Sequence, residues 1–248
     1  FVVRPLLFPG GDIGRLAVCG SVNDLAMAGA RPIALSLALI LEEGLAFSTL
    51  RRVIASIRSS AEECGVAVLT GDTKVVERGK GDGIYINTSA VGRLEHKLAI
   101  HPGAVRPGDA VLVSGDLGRH GLAILAARQE LGLSTALASD VAPLLPPVQA
   151  LLDAGLELHC LRDLTRGGLA SAIDEIARAA HCTITLEEGL IPLHPAVDGA
   201  CQLLGLDPLA MANEGRMVVL LPEAQADQAL AVLKAFQPQA RRIGVVEG

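Results

Sequence analysis

Five short segments carry side chains whose types and spacing could do chemistry. Thr70-Gly71-Asp72-Thr73-Lys74 follows an expected strand, Val66–Thr70. Catalytic groups in α/β proteins gather just past strand ends. Gly71 would let a ligand approach the backbone, Asp72 offers a hard oxygen, Thr73 sits beside it, and Lys74 is a phosphate-pairing cation; an ordinary Gly-Asp turn is the alternative. Asn23-Asp24-Leu25-Ala26 sets a carboxylate inside an apolar helix of small residues. Burying it unpaired would cost several kcal/mol, so it needs a metal ion or a helix cap, unless it caps a neighbouring loop or faces water. Asp24 with Asp72 suits magnesium, which takes one or two carboxylates and completes its octahedron with phosphates and waters. Without the ion, each close charge pair between carboxylate and phosphate would repel by about 4 kcal/mol at an effective dielectric of 20.

Three further segments lie in the second half. Ser114–Gly121 is a Gly-rich turn into a helix whose amides could cradle an anion, although it lacks a Gly-Lys-Ser/Thr ending. Within it His120 could donate to a substrate oxygen, or could be a surface residue at a helix start. Arg162–Gly168 places Asp163, Thr165 and Arg166 before paired glycines. It could bind an anion or position a substrate carbonyl, or form a capped helix start with an Arg–Asp pair. In Ala212-Asn213-Glu214-Gly215, Glu214 has uncharged neighbours. Such a carboxyl could have a raised pKa and act as a base, or mark a turn.

The elements that must position these groups follow from pattern. Asp12 is a plausible N-cap for a helix over Ile13–Ala28, closed by Gly29 and Pro32. Ile33–Leu41 predicts a buried strand, Thr49–Cys64 a helix capped by Ser48, and Gly83–Leu94 an alternating strand. His96–Asp109 holds two prolines and two glycines with little periodicity, which places a domain boundary there. Beyond it come strand Val111–Ser114, helix Arg119–Leu131, helix Val141–Ala154, strand His159–Leu161, helix Leu169–Ala180 and strand Thr183–Leu186. Helix Pro195–Leu204, strand Arg216–Leu221, helix Glu223–Phe236 and strand Arg242–Val246 complete the pattern. Strands alternate with helices throughout, so the class is α/β or α+β.

Composition narrows the function. The chain has 248 residues, 50% hydrophobic and 19% charged, which suits two domains and rules out disorder. There is no Trp, one Tyr and four Phe, which argues against a base-stacking nucleic-acid reader. Net charge is −6, without a Lys/Arg run. Five scattered cysteines, with no Cys-x-x-Cys, argue against structural zinc and for reduced thiols in a cytosolic compartment. The longest apolar run, Pro32–Leu41, is too short for a bilayer. Serine-hydrolase, zincin and dinucleotide-binding signatures are absent. The chain begins without Met inside an apparent strand and stops just after another, so it reads as a fragment.

In order, Phe8-Pro9-Gly10-Gly11-Asp12-Ile13-Gly14, Asn23-Asp24-Leu25-Ala26, Gly71-Asp72-Thr73-Lys74, Asp163-Leu164-Thr165-Arg166-Gly167-Gly168 and Asn213-Glu214-Gly215 resemble the HypE family of hydrogenase maturation factors. The Asn-Asp and Gly-Asp-Thr elements are shared across the wider superfamily of aminoimidazole ribonucleotide synthetase, thiamine-monophosphate kinase and selenophosphate synthetase. The resemblance implies a two-domain fold. An N-terminal domain over residues 1–97 would bind ATP and form a barrel across a homodimer interface, and a C-terminal α/β domain would span 98–248. It implies ATP and magnesium as cofactors and a cytoplasmic location. The activity would be ATP-dependent dehydration of a carbamoylated C-terminal cysteine to thiocyanate, with HypF as carbamoyl donor and the HypC–HypD complex as cyanide acceptor. Asn23, Asp24, Gly71, Asp72 and Thr73 would then bind nucleotide, with Asp24 and Asp72 on the metal. Glu214, Lys74 and Arg166 would act in catalysis, and His120, Asp163, Thr165 and Asn213 would line the substrate side. The N-terminal glycine-rich segment and the C-terminal cysteine tail of the family are missing from this sequence. Another synthetase or small-molecule kinase of the superfamily, or a non-catalytic maturation scaffold, are the other readings.

Overall fold

The computed structural model describes residues 1–128 and 137–248. It opens with a small ribbon, β1 (Leu7–Phe8) and β2 (Gly11–Asp12), followed by helix α1 (Ile13–Met27). Asp12 caps α1 as expected, its carboxylate accepting from the Gly14 and Arg15 amides at 2.8 and 3.0 Å. At the other end Gly29, with φ +70°, reverses the chain. Strand β3 (Arg31–Glu42), helix α2 (Phe47–Glu63), strand β4 (Ala67–Val76) and strand β5 (Ile84–Arg93) complete the first half. They form a three-stranded sheet in the order β4-β3-β5, β3 parallel to β4 and antiparallel to β5.

The second half contains β6 (Asp109–Val113), α3 (Arg119–Ala127), α4 (Leu145–Asp153), β7 (Cys160–Asp163) and α5 (Gly168–Ala180). Strand β8 (Thr183–Leu186), helix α6 (Pro195–Leu204), strand β9 (Met217–Pro222), helix α7 (Ala226–Phe236) and strand β10 (Arg241–Glu247) follow. The five strands make a wholly antiparallel sheet, β7-β9-β6-β10-β8. Helix packing separates into a core around α1, α2, β3 and β5, and cores on the two faces of the larger sheet. All five cysteines are free thiols. No described helix is long and apolar enough to cross a membrane.

Helix α1 has no polar stripe. Ile13, Leu16, Ala17, Val18, Val22 and Asn23 are all buried, so it must be covered nearly all round. Its first residues pack with α2 in one core, while Ala26 joins Leu144, Val148 and Leu151 in another. One helix thus belongs to both halves of the molecule.

Several boundaries differ from the sequence expectation, each for a local reason. Helix α2 begins at Phe47, not Thr49. Its N-cap is the extended Ala46, without a side-chain bond, and Ser48 falls inside the first turn. The helix expected over Val141–Ala154 starts only at Leu145. Ahead of it, the Ala142 carbonyl accepts from Asn23 Nδ2 at 3.0 Å and the Leu144 amide donates to Asn23 Oδ1 at 2.7 Å, which holds the chain off the helical path. The helix expected over Arg119–Leu131 ends at Ala127 with Arg128 as its C-cap, and residues 129–131 of that expectation lie outside the described residues. Residues Glu223–Gln225 form a 3-10 turn ahead of α7.

The largest correction concerns Gly71-Asp72-Thr73-Lys74. These residues do not follow strand β4; they are its middle, in parallel register with Leu37, Ala38, Leu39 and Ile40. A Cβ on Gly71 would lie 2.2 Å from the Leu37 carbonyl oxygen. The glycine therefore admits a neighbouring strand, not a ligand. We expect Gly71→Ala to lower stability by about 1–3 kcal/mol through overpacking, read as a lower denaturant midpoint and faster amide exchange in β3 and β4. Wild-type protection in those strands would refute the packing role.

Candidate active site

A cavity of about 460 Å³ lies between α1, the start of α3, the loop after β7 and the turn before β9. Asp24, His120, Asp163, Thr165, Arg166 and Glu214 line it, alongside Leu16, Gly20 and the first three residues. Six of the residues expected at the site thus meet in one place, although Asp24, His120 and Glu214 come from elements far apart in sequence.

The Glu214 turn is held by its backbone. Its amide and that of Gly215 donate to one carboxylate oxygen of Asp140, at 3.2 and 3.0 Å. The carbonyl of Glu214 accepts from Asn23 Nδ2 at 3.3 Å. The Asn213 amide donates to the Leu164 carbonyl at 2.9 Å. None of these bonds uses the Glu214 carboxyl, which faces the cavity. Its pKa is pushed up to about 8, by burial and then by the negative neighbours Asp140, Asp163 and Asp24. Asp24 is also raised, by burial and by Asp163, with Arg162 and Arg166 pulling the other way.

His120 closes one wall. Its amide donates to the other oxygen of Asp140 at 3.0 Å. The Nδ1 atom lies 2.8 Å from Ser139 Oγ, and the ring meets Phe8 edge-on at 5.5 Å between centroids. Burial pushes its pKa down to about 4, so the ring is neutral around pH 7. Position 120 is no surface residue.

Asn23 and Asn213 stand behind the cavity wall. The amide of Asn23 is spent on Ala142, Glu214 and Leu144. That of Asn213 accepts from the Gly118 amide at 2.7 Å and donates to the Leu164 and Met211 carbonyls at 3.2 and 3.0 Å. Both hold backbone in place. Gly71, Asp72, Thr73 and Lys74 line no part of this cavity; they lie exposed on β4. Asp72 accepts from the Thr73 amide at 2.7 Å. Among the described residues no cluster of three His, Cys, Asp or Glu side chains converges on a metal position.

Three important residues have only faint sequence signals. Asp140, almost fully buried, collects the amides of His120, Glu214 and Gly215; burial raises its pKa against the pull of Arg216 and these donors. A lone carboxylate between apolar residues, in a Pro-rich stretch, was its only mark. Arg216 is buried against Asp116, with Nη2 2.7 Å from its Oδ1, Nε 2.9 Å from its carbonyl oxygen, and Nη1 3.0 Å from the Gly215 carbonyl. Burial alone would raise Asp116, but Arg216 and Arg119 together outweigh it and hold that carboxyl below its ordinary value. An arginine directly before the apolar run Met217–Leu221 was its signal. Ser139 had none.

Comparison with known proteins agrees with this architecture. The family "AIR synthase related protein, N-terminal domain" matches residues 1–94, and "AIR synthase related protein, C-terminal domain" matches residues 106–248. The carbamoyl dehydratase HypE of Rhodobacter capsulatus is 52% identical over 235 residues, which are 95% of this chain and 69% of that protein. A crystal structure of the hydrogenase maturation protein HypE in complex with ATP superposes with a TM-score of 0.97 at 47% identity, over 100% of this chain and 75% of that one. A HypE–HypF complex gives a TM-score of 0.97 at 43% identity, over 100% of this chain and 82% of the matched one. The chain belongs to the carbamoyl dehydratase HypE family, with the two-domain fold of the AIR synthase related proteins.

The raised pKa of Glu214 has a consequence for stability. Its folded value of about 8 lies above the ordinary glutamate value of about 4.3. Between those values the folded protein keeps a proton that the unfolded chain has released, so stability falls as pH rises from about 4 to 8 and levels off above. Glu214→Gln should flatten this fall and be relatively more stable at about pH 8. Denaturant midpoints across the range check it; parallel curves for the two proteins would show that Glu214 is not the buried acid.

Proposed function

We propose that this chain supplies the catalytic body of an ATP-dependent carbamoyl dehydratase of hydrogenase maturation. The substrate is a carbamoylated cysteine on a C-terminal tail, and the product is its thiocyanate, the source of the cyanide ligands of the [NiFe] hydrogenase iron. The observation that carries this reading is the Glu214 carboxyl. It is half-buried, held above the usual carboxylate range, and lines a cavity that also holds Asp24, Asp163, Thr165, Arg166 and His120.

The chemistry asks for two things. An amide oxygen is a poor leaving group, and phosphorylating it makes phosphate the leaving group. Both N–H protons must leave, the first as the oxygen is phosphorylated and the second, to a base, as the C–O bond breaks and the nitrile forms. ATP and the S-carboxamide become ADP, phosphate and the S-cyanide. Positioning and charge stabilisation are what a protein gives to such a transfer. Glu214, in its carboxylate form, takes the amide proton. Arg166 and Thr165 face the phosphorylated oxygen, and Asp163 orients the carbamoyl nitrogen. Cationic charge near the acids would lower the Glu214 pKa toward neutrality and make the base available.

Magnesium fits the donor set as a small number of carboxylates with an excess of negative charge. Asp24, crowded by Asp163 and Glu214, gains from a cation there. Asp72 would be the other ligand and Lys74 the partner of the transferred phosphoryl group, with Gly71 and Thr73 beside them. Bound magnesium would neutralise phosphate charge. Within one chain Asp72 and Lys74 do not line the Asp24 cavity, so we assign them to the site of a second copy. Strand β4 supports this: it is an exposed edge with Val68 41%, Leu69 72% and Val75 58% accessible. A homodimer closing the two small sheets into a barrel would cover that edge. In this reading residues 1–97 bind ATP and dimerise and residues 98–248 complete the cleft, with Asn23 and Asn213 as its supports. HypF gives the carbamoyl group and the HypC–HypD complex accepts the cyanide, in the cytoplasm.

Two experiments test the proposal. Full-length protein given HypF, carbamoyl phosphate and MgATP should gain a carbamoyl group on its tail cysteine and then lose one water by intact mass. Glu214→Gln should be carbamoylated yet lose water at least about 100-fold more slowly, the scale of general-base catalysis. Normal water loss in that variant removes Glu214 as the base. Separately, Asp24→Ala and Asp72→Ala chains should each be inactive, and mixing them should restore about a quarter of the activity, because one site in each mixed dimer is intact. No recovery on mixing would place both acids in one chain's site.

A further inference from the structure

Ser139 supports His120 without lining the cavity itself and belongs to none of the motifs that carry the family resemblance. Its backbone is tied to the turn at the start of the chain, the Ser139 amide donating to the Pro9 carbonyl at 2.8 Å. Gly10, at φ +90°, packs so closely there that a Cβ would lie 2.7 Å from the Ser139 carbonyl oxygen. The hydroxyl makes two contacts. The Val141 amide donates to Oγ at 3.1 Å, and Oγ lies 2.8 Å from Nδ1 of His120. Asp140, the next residue, holds the His120 amide from below. The imidazole is thus fixed at its backbone and at one ring nitrogen, and among the described residues Nε2 meets no protein partner.

A neutral imidazole carries one N–H, and which nitrogen has it decides what the ring can do. Two observations favour Nε2. The Ser139 oxygen already accepts from Val141, which leaves its own O–H free to donate to Nδ1. The cavity that His120 lines also holds the carboxyls of Asp24, Asp163 and Glu214, and Nε2 is the ring nitrogen that Ser139 leaves open for a proton and an acceptor on that side. We infer that Ser139 is a positioning residue: it donates to Nδ1 of His120 and fixes the ring as a neutral Nε2–H donor directed at an oxygen of the phosphorylated carbamoyl group. This rests on the dehydratase reading and deepens it. A neutral donor offers the departing phosphate oxygen a hydrogen bond without placing a full positive charge beside Glu214, so base and donor stay distinct.

The test uses full-length protein labelled with ¹⁵N-histidine. The His120 ring of the wild type should show a protonated Nε2 and an unprotonated Nδ1 near neutral pH. In Ser139→Ala that pattern should give way to a mixture of tautomers, and Ser139→Thr, which restores a hydroxyl, should recover it. The single-turnover rate of water loss should fall about 10- to 100-fold in Ser139→Ala, the usual effect of removing an outer-shell partner, with the KM for ATP within about twofold and partial recovery in Ser139→Thr. An Nδ1–H tautomer or an imidazolium in the wild type overturns the inference, as does an unchanged ring signature in Ser139→Ala. The signature is read without turnover. A wild-type tail that is carbamoylated but never dehydrated therefore counts against the dehydratase reading, while the ring nitrogens still decide the role of Ser139.

Discussion

The side-chain amide of Asn23 joins the two halves of the molecule. It sits on α1, whose lack of a polar face requires cover from both sides, and it spends its donor and acceptor on three backbone groups beyond residue 140. Those bonds keep the segment before α4 extended and hold the carbonyl of Glu214. They also fix Asp24, the next residue on the helix, with respect to the Glu214 turn. A buried amide of this kind is costly if any partner is lost, and it specifies one docking of the halves where apolar packing alone would allow several. The spacing between Asp24 and Glu214 across the cavity is therefore a by-product of how the two halves are held together.

Electrostatics on this frame divide into compensated and uncompensated parts. Asp116 is fully buried but engaged by Arg216 and Arg119, so it stays ionised and anchors Arg216, which in turn donates to the Gly215 carbonyl. Asp24, Asp163 and Glu214 share the cavity with Arg166, and Arg162 divides its bonds between Asp163 and Glu175. Burial, and then this surplus of acid, raises Asp24 and Glu214 together. Such a surplus destabilises an empty site and is relieved by a cation with its phosphates.

Much of this was legible in the residues. Asp12 before an apolar helix, Gly29 after it, and the strands Gly83–Leu94 and Thr183–Leu186 announce themselves through capping, left-handed glycine and alternation. The residues around the cavity stood out as charged or polar groups in small-residue surroundings. What could not be read were roles set by distant partners. Gly71-Asp72 looks like a turn because its glycine is needed, yet the need comes from the Leu37 carbonyl of an adjoining strand. Asp140 and Arg216 carry no local pattern, since their partners lie across the fold. The late start of the helix expected from Val141 reflects Asn23, more than a hundred residues upstream. Short-range chemistry writes itself into sequence; three-dimensional bracing does so only where a charge interrupts an apolar run.

The order of strands in the larger sheet bears on how the chain is made. Strand β10 lies between β6 and β8, and β9 lies between β6 and β7. Strands synthesised early therefore wait for strands synthesised late, and none of β6, β7 or β8 has its sheet neighbour until β9 and β10 emerge. During that interval, the apolar edge of β6, Ala110-Val-Leu-Val113, is open to other nascent chains. The first half, whose β3-α2-β4-β5 run is local, can collapse on the ribosome without this delay. Helix α1 then waits with one side still bare, as a template on which the later half closes, so assembly runs from the small sheet outward and the catalytic cleft is the last part to exist.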